Sequence, residues 1–153
     1  MLLLWQRFII YELNLQIYMK IYDCFMFFDE EMMLDLRLNI LDKYVDKFVI
    51  TEATYMHSGR PKKLLFNINK FSKFKDKIIY NVVDKEPPDI ETIHKEDNDA
   101  KDTRGQKLVN NSNKREHFQR EMAQESLQVL SEAKSEDIIL INDIDEIPNF
   151  DEV

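Results

Sequence analysis

Residues 138–141 read Ile-Ile-Leu-Ile, and the acids Asp143, Asp145 and Glu146 crowd into the positions just beyond them. An unbroken aliphatic run this short, bounded by polar residues, predicts a strand covered on both faces, the kind that parallel sheets contain. Three further runs fit the same sheet: KIYDCFMFF (20–28), KFVIT (47–51) and KIIYNVV (77–83). After the first, Leu34, Leu38, Leu41 and Val45 recur at helical spacing and predict a helix packed on the sheet. EATYMHSGRPKKLLF (52–66) carries Ser-Gly and Arg-Pro turn signals, so a loop leaves the carboxyl end of the second strand. Residues 84–111 are polar and aperiodic and predict a long irregular segment. Asn113 with Glu116 resembles a capping box, and Phe118, Met122, Leu127 and Leu130 give the apolar stripe of a helix running to about Lys134. The order β-α-β-loop-β-loop-α-β predicts an α/β fold, a mostly parallel sheet with flanking helices.

The chain of 153 residues fits one domain. Its 29 acids against 21 lysines and arginines leave a net charge of −8, which disfavours the basic footprint a nucleic acid needs. Cys24 stands alone, so no internal disulfide forms, and three scattered histidines make no Cys/His metal framework. Gly59 and Gly105 are the two glycines, too few for a glycine-rich phosphate loop, so any phosphate must be held by cations or a metal. The apolar N-terminus is interrupted by Arg7, Glu12 and Asn14 and lacks a basic leader region, so it reads neither as a signal peptide nor as a membrane span. Residues 1–18 read as an extension preceding a domain at 19–153; the alternative is an amphipathic helix lying on the domain or on a membrane surface.

Ligands of parallel sheets bind at the carboxyl ends of the strands, where Asp143 and Asp145 lie. In extended chain, residues two apart point to one side, so both carboxylates reach a shared position. Their mutual repulsion is relieved by a hard divalent ion such as Mg²⁺ or Mn²⁺, which takes oxygen ligands and keeps water or phosphate in its other positions. The spacing alone fits equally a solvated turn in which Asp145 or Glu146 caps the chain after Pro148.

Four blocks in order, YDCFMFFDEEMMLDLRLNIL (22–41), DKFVITEATYMHSGRPKKLLF (46–66), REHFQREMAQESL (115–127) and DIILINDIDEIPN (137–149), resemble glycosyltransferase family 17. This is the family of the N-acetylglucosaminyltransferase that adds bisecting N-acetylglucosamine to N-glycans. The resemblance implies a GT-A-like, Rossmann-type transferase acting on a UDP-sugar donor, UDP-N-acetylglucosamine by inheritance from the family, and on a glycan or glycoconjugate acceptor. It implies that Asp143 and Asp145 are the Asp-x-Asp pair holding Mn²⁺ or Mg²⁺ against the donor's diphosphate, with Glu146 beside them.

Within the same blocks, Asp23 and Glu52 are candidates to accept bonds from the base or ribose, or else serve in caps and salt bridges. Arg60 and Lys62 are candidates to reach the diphosphate, whereas Lys63 reads as solvated. Arg120 either contacts the donor or pairs with Glu116 one turn away. His57 and His117 are acid/base candidates by residue type alone, His94 falls in the irregular segment, and Cys24 reads as a core residue. Inverting transfer needs a base that deprotonates the acceptor. In GT-A enzymes that base follows the Asp-x-Asp strand, and little chain follows Pro148 here. The expectation is therefore a donor-binding half that works with a complementary C-terminal chain. A metal-dependent phosphohydrolase and a non-catalytic remnant are the alternatives. With no membrane anchor legible, the expected location is the cytoplasm, at most peripheral to a membrane.

Overall fold

The computed structural model describes residues 19–98, 101–129 and 133–152; the extension at 1–18 lies outside them. The chain runs β1 (Ile21–Met26), α1 (Glu31–Leu41), β2 (Lys47–Ala53), a 3₁₀-helix (Ile68–Phe74), β3 (Ile78–Val83), α2 (Thr103–Val129), β4 (Ile138–Ile141) and a 3₁₀-turn (Phe150–Glu152). The four strands form one sheet in the order β3-β2-β1-β4, and every pairing is parallel. The expected α/β architecture with flanking helices is therefore present.

Alternation along the strands builds two cores. Phe25 and Phe27, with Phe48 and Ile50 of β2, meet Leu34, Leu38 and Leu41 of α1 and Phe71 and Phe74 of the 3₁₀-helix. On the other face Tyr22, Cys24 and Val49 pack with Ala123 of α2, and Ala53, Tyr55 and Val83 pack with Phe118 and Met122. The helical stripe expected after β1 is buried throughout, from Leu34 to Val45.

Three expectations need correction. First, α2 begins at Thr103, well inside the segment read as irregular, and Asn113 and Glu116 lie in its interior rather than at a cap. The face that its N-terminal half buries is polar, Asn111, Arg115 and Gln119, so apolar periodicity does not mark it. Phe118 and Met122 pack on the sheet as expected, while the side chains of Leu127 and Leu130 lie outside the described residues.

Second, β4 is an edge strand rather than one covered on both faces. Among the described residues it pairs with β1 alone, and Ile138, Ile139 and Ile141 are 37%, 40% and 46% exposed. Third, the strand ends at Ile141 and the acids sit on a turn, where the Glu146 amide donates to the Asp143 carbonyl (3.0 Å) and the Ile147 amide to that of Asp145 (3.2 Å).

Candidate functional site

From β1 the chain moves outward through β2 to β3, then returns to lay β4 on the opposite side of β1. The strand order thus reverses between β1 and β4, the place where open parallel sheets form a binding crevice at their carboxyl ends. A cleft of about 670 Å³ opens there. Met26, Phe27, Phe28 and Glu30 at and after the end of β1 form one wall, and Ala53, Tyr55, Met56, His57 and Ser58 with Lys62 form another. Gln119 of α2 and Asp143, Ile144 and Asp145 after β4 complete it.

The turn that carries the aspartates is held from beneath. Ile144 points into the core, while Asp143 and Asp145 on either side of it face the cleft. Arg37 of α1, fully buried, donates from Nη1 to the carbonyls of Asp143 (2.9 Å), Ile144 (3.0 Å) and Glu146 (2.9 Å). Its other nitrogens form a two-pronged pair with Asp23, Nε to Oδ2 at 2.8 Å and Nη2 to Oδ1 at 2.7 Å, and it stacks over the Phe25 ring at 4.8 Å. Asp23 is accordingly 0% exposed and unreachable for a base or ribose. Its position inside the first strand did not reveal that the partner sits on the next helix.

Glu52 is likewise buried. It accepts from Lys62, from the amides of Leu65 (2.8 Å) and Phe66 (3.1 Å) and from the Tyr80 hydroxyl (2.8 Å). Desolvation pushes its carboxyl up, but Lys62, the two amides and Tyr80 outweigh it and hold the group below the usual carboxylate range. Glu52 therefore fixes the return of the 54–66 loop instead of facing the cleft. Lys62, which it anchors, does face the cleft, its ammonium 5.2 Å from the centre of the Phe28 ring.

Arg120 donates from Nη2 to Glu116 (3.2 Å), the pairing expected one turn away, and with the same nitrogen to the carboxylate of Asp143 (2.6 Å). Glu146 turns its carboxylate back to accept from the Asp143 amide (3.2 Å). Arg60 and Lys63 are exposed and do not line the cleft; His57 does, and His117 spends Nδ1 on the Asn113 carbonyl (2.8 Å). Cys24 is buried, and burial together with the neighbouring Asp23 pushes its thiol up to about 12, as suits a core residue.

Some site residues escaped the sequence. Arg115, buried on α2, pairs with Glu86 at 3.1 Å and donates to the His57 carbonyl (3.2 Å), which ties the cleft-lining 55–60 turn to the helix. Gln119 is 5% exposed and its Nε2 has no partner among the described residues. Glu30 accepts from the amides of Phe28 (3.0 Å) and Asp29 (3.1 Å) and shapes the bend that brings Phe28 to the cleft. The helical spacing of 111, 115 and 119 was the available signal, hidden because it is carried by polar residues.

The sequence profile of glycosyltransferase family 17 matches residues 11–153, nearly the whole chain and all four strands. The chain belongs to glycosyltransferase family 17. The family makes it a transferase that in general takes a nucleotide-sugar donor and a glycan acceptor, and it favours this class over a hydrolase. No curated protein and no solved structure matches the chain. Among the described residues no helix is long and apolar enough to cross a membrane.

The two carboxylates beside Ile144 are the groups that could hold a hard cation. Oδ2 of Asp143 and both oxygens of Asp145 have no protein partner among the described residues, and both side chains face the cleft. No group of three or more potential metal-ligating residues gathers among the described residues. A divalent ion held here would have Asp143 and Asp145 as its protein ligands and would take water or ligand oxygens in its remaining positions.

Proposed function

We propose that the cleft binds a UDP-sugar with Mn²⁺ or Mg²⁺ at Asp143 and Asp145, in a GT-A-type arrangement, and serves transfer of N-acetylglucosamine or a related sugar to a glycan acceptor. The observation that supports this reading best is that both aspartates face one cleft at the reversal of strand order, on a turn locked from beneath by Arg37.

Each wall has a task in this reading. Phe27, Phe28 and Tyr55 offer apolar and aromatic surface to a planar base. Lys62 and Arg120 bring positive charge to a chain too poor in glycine for a phosphate-binding loop. Arg37 keeps the aspartate-bearing backbone from yielding when a highly charged ligand arrives, so little reorganisation accompanies binding. A divalent ion at the pair supplies positive charge against the leaving nucleoside diphosphate.

Calorimetric titration with UDP, UDP-N-acetylglucosamine and GDP, with and without Mn²⁺, tests the reading. The expected result is Mn²⁺-dependent binding of the uridine ligands that Asp145→Asn abolishes. Binding in Asp143→Asn and Asp145→Asn as strong as in the wild type would overturn it.

A further inference from the structure

Among the described residues Lys62 lines the cleft, Arg37, Arg115 and Arg120 contact residues that line it, and three of these four cations are fixed. Arg37 is 0% exposed and spends its nitrogens on Asp23 and three carbonyls. The Arg115 side chain is 9% exposed and held by Glu86 and the His57 carbonyl. The Lys62 side chain is 5% exposed and held by Glu52. Arg120 differs, since its side chain is 31% exposed and rests on two carboxylates that are themselves 36% and 48% exposed. One of those is Glu116, a helix-surface partner of the kind that restrains an arginine weakly. The other is Asp143, the first of the two proposed cation ligands, contacted at 2.6 Å.

A guanidinium and a divalent cation on one carboxylate repel each other, and the backbone that carries Asp143 is held in place. Its carbonyl is held by Arg37 and its amide by Glu146. The arginine is the part free to move. A guanidinium released from Asp143 stands beside the place where a diphosphate would lie, and its planar fork matches phosphate oxygens.

Resting on the reading of the cleft as a metal-dependent nucleotide site, we propose that Arg120 is a built-in counter-cation of Asp143 that exchanges onto the nucleoside diphosphate when a divalent ion takes the carboxylate. In the free chain the guanidinium neutralises Asp143 and opposes binding of the ion by itself. With the diphosphate present the displaced guanidinium gains a new anionic partner. Ion and nucleotide consequently promote each other's binding, and by linkage they do so to the same degree.

The exchange is tested on the full chain by titrating Mn²⁺ alone, followed by the electron paramagnetic resonance signal of the free ion, and UDP at saturating Mn²⁺, followed by calorimetry. The variants are Arg120→Gln and Arg120→Lys. Arg120→Gln removes the competing charge, so Mn²⁺ alone is expected to bind about tenfold tighter while UDP with Mn²⁺ binds about tenfold more weakly. Arg120→Lys keeps the charge and loses the fork, so the affinity for Mn²⁺ alone stays near the wild type while that for UDP falls. Equal Mn²⁺ affinity in wild type and Arg120→Gln, with UDP binding still Mn²⁺-dependent, overturns the exchange and leaves the donor-site reading standing. Failure of the wild type to bind UDP with Mn²⁺ overturns both.

Discussion

Asp23 and Arg37 face each other fully buried, and the same guanidinium that neutralises Asp23 holds three backbone carbonyls of the Asp143–Glu146 turn. A side chain from the first helix thereby couples the centre of the sheet to the lip of the cleft. Two charges removed from water are tolerable because Asp23 uses both oxygens and Arg37 makes five hydrogen bonds.

Removing one member of that pair leaves the other charged and buried. Asp23→Asn and Arg37→Met are each expected to lose about 3–5 kcal/mol of stability in urea unfolding. The double variant Asp23→Leu with Arg37→Met is expected to recover a large part of the loss, since no charge is left stranded. It does not restore the three carbonyl contacts, so nucleotide binding stays weak even where stability returns. A double variant no more stable than the singles would show that the carbonyl contacts, and not the charge pair, dominate.

Thr51 Oγ1 is buried at 0% exposure and has no hydrogen-bond partner among the described residues. A hydroxyl kept from water without compensation costs free energy that an isosteric methyl does not. Thr51→Val is therefore expected to be neutral or to stabilise by about 1 kcal/mol, read as a higher urea midpoint at unchanged slope. Clear destabilisation would mean that the hydroxyl has a partner in solution, such as an internal water.

Glu52 titrates with the opposite consequence at low pH. Its folded-state carboxyl is held below the ordinary range, so the folded state binds the proton less readily than the unfolded chain. The stability from this linkage is present above the unfolded value of about 4.3 and disappears as pH falls through the folded value. Glu52→Gln should show a shallower loss of stability than the wild type when thermal melts are compared between about pH 5 and pH 3. Parallel curves would remove Glu52 from the acid response.

What the sequence disclosed and what it hid divide along physical lines. Leu34, Leu38 and Leu41 disclose α1 because helix packing on a sheet demands an apolar stripe, and the four strands show themselves as β-branched and aromatic runs. The first half of α2 stayed hidden because its buried contacts are hydrogen bonds. Asn111 exchanges two bonds of 2.8 Å with the backbone of Glu91, and Lys114 donates to the Asp89 carbonyl at 2.8 Å. Asp143 and Asp145 were legible as cleft residues from their place after a strand. Asp23 and Glu52, equally acidic and equally placed on strands, proved internal, since their partners Arg37 and Lys62 lie 14 and 10 residues away and no spacing rule links them.

Gly59 sits where the cleft's turn packs against Arg115 of α2. It adopts φ +82°, and a Cβ there would stand 2.7 Å from Nη2 and 2.9 Å from Cζ of Arg115. Gly59→Ala thus imposes two penalties, a left-handed backbone for an L-residue, about 1 kcal/mol, and displacement of the guanidinium from Glu86 and the His57 carbonyl. A total loss of about 2–3 kcal/mol is expected, together with weaker ligand binding because His57 and Ser58 line the cleft. The two penalties separate in a double-mutant cycle with Arg115→Ala, which removes the clash and keeps the backbone strain. Gly59→Ala should cost only about 1 kcal/mol on that background. An unchanged cost of 2–3 kcal/mol would locate the whole effect in the backbone and deny that Arg115 needs the space a glycine leaves.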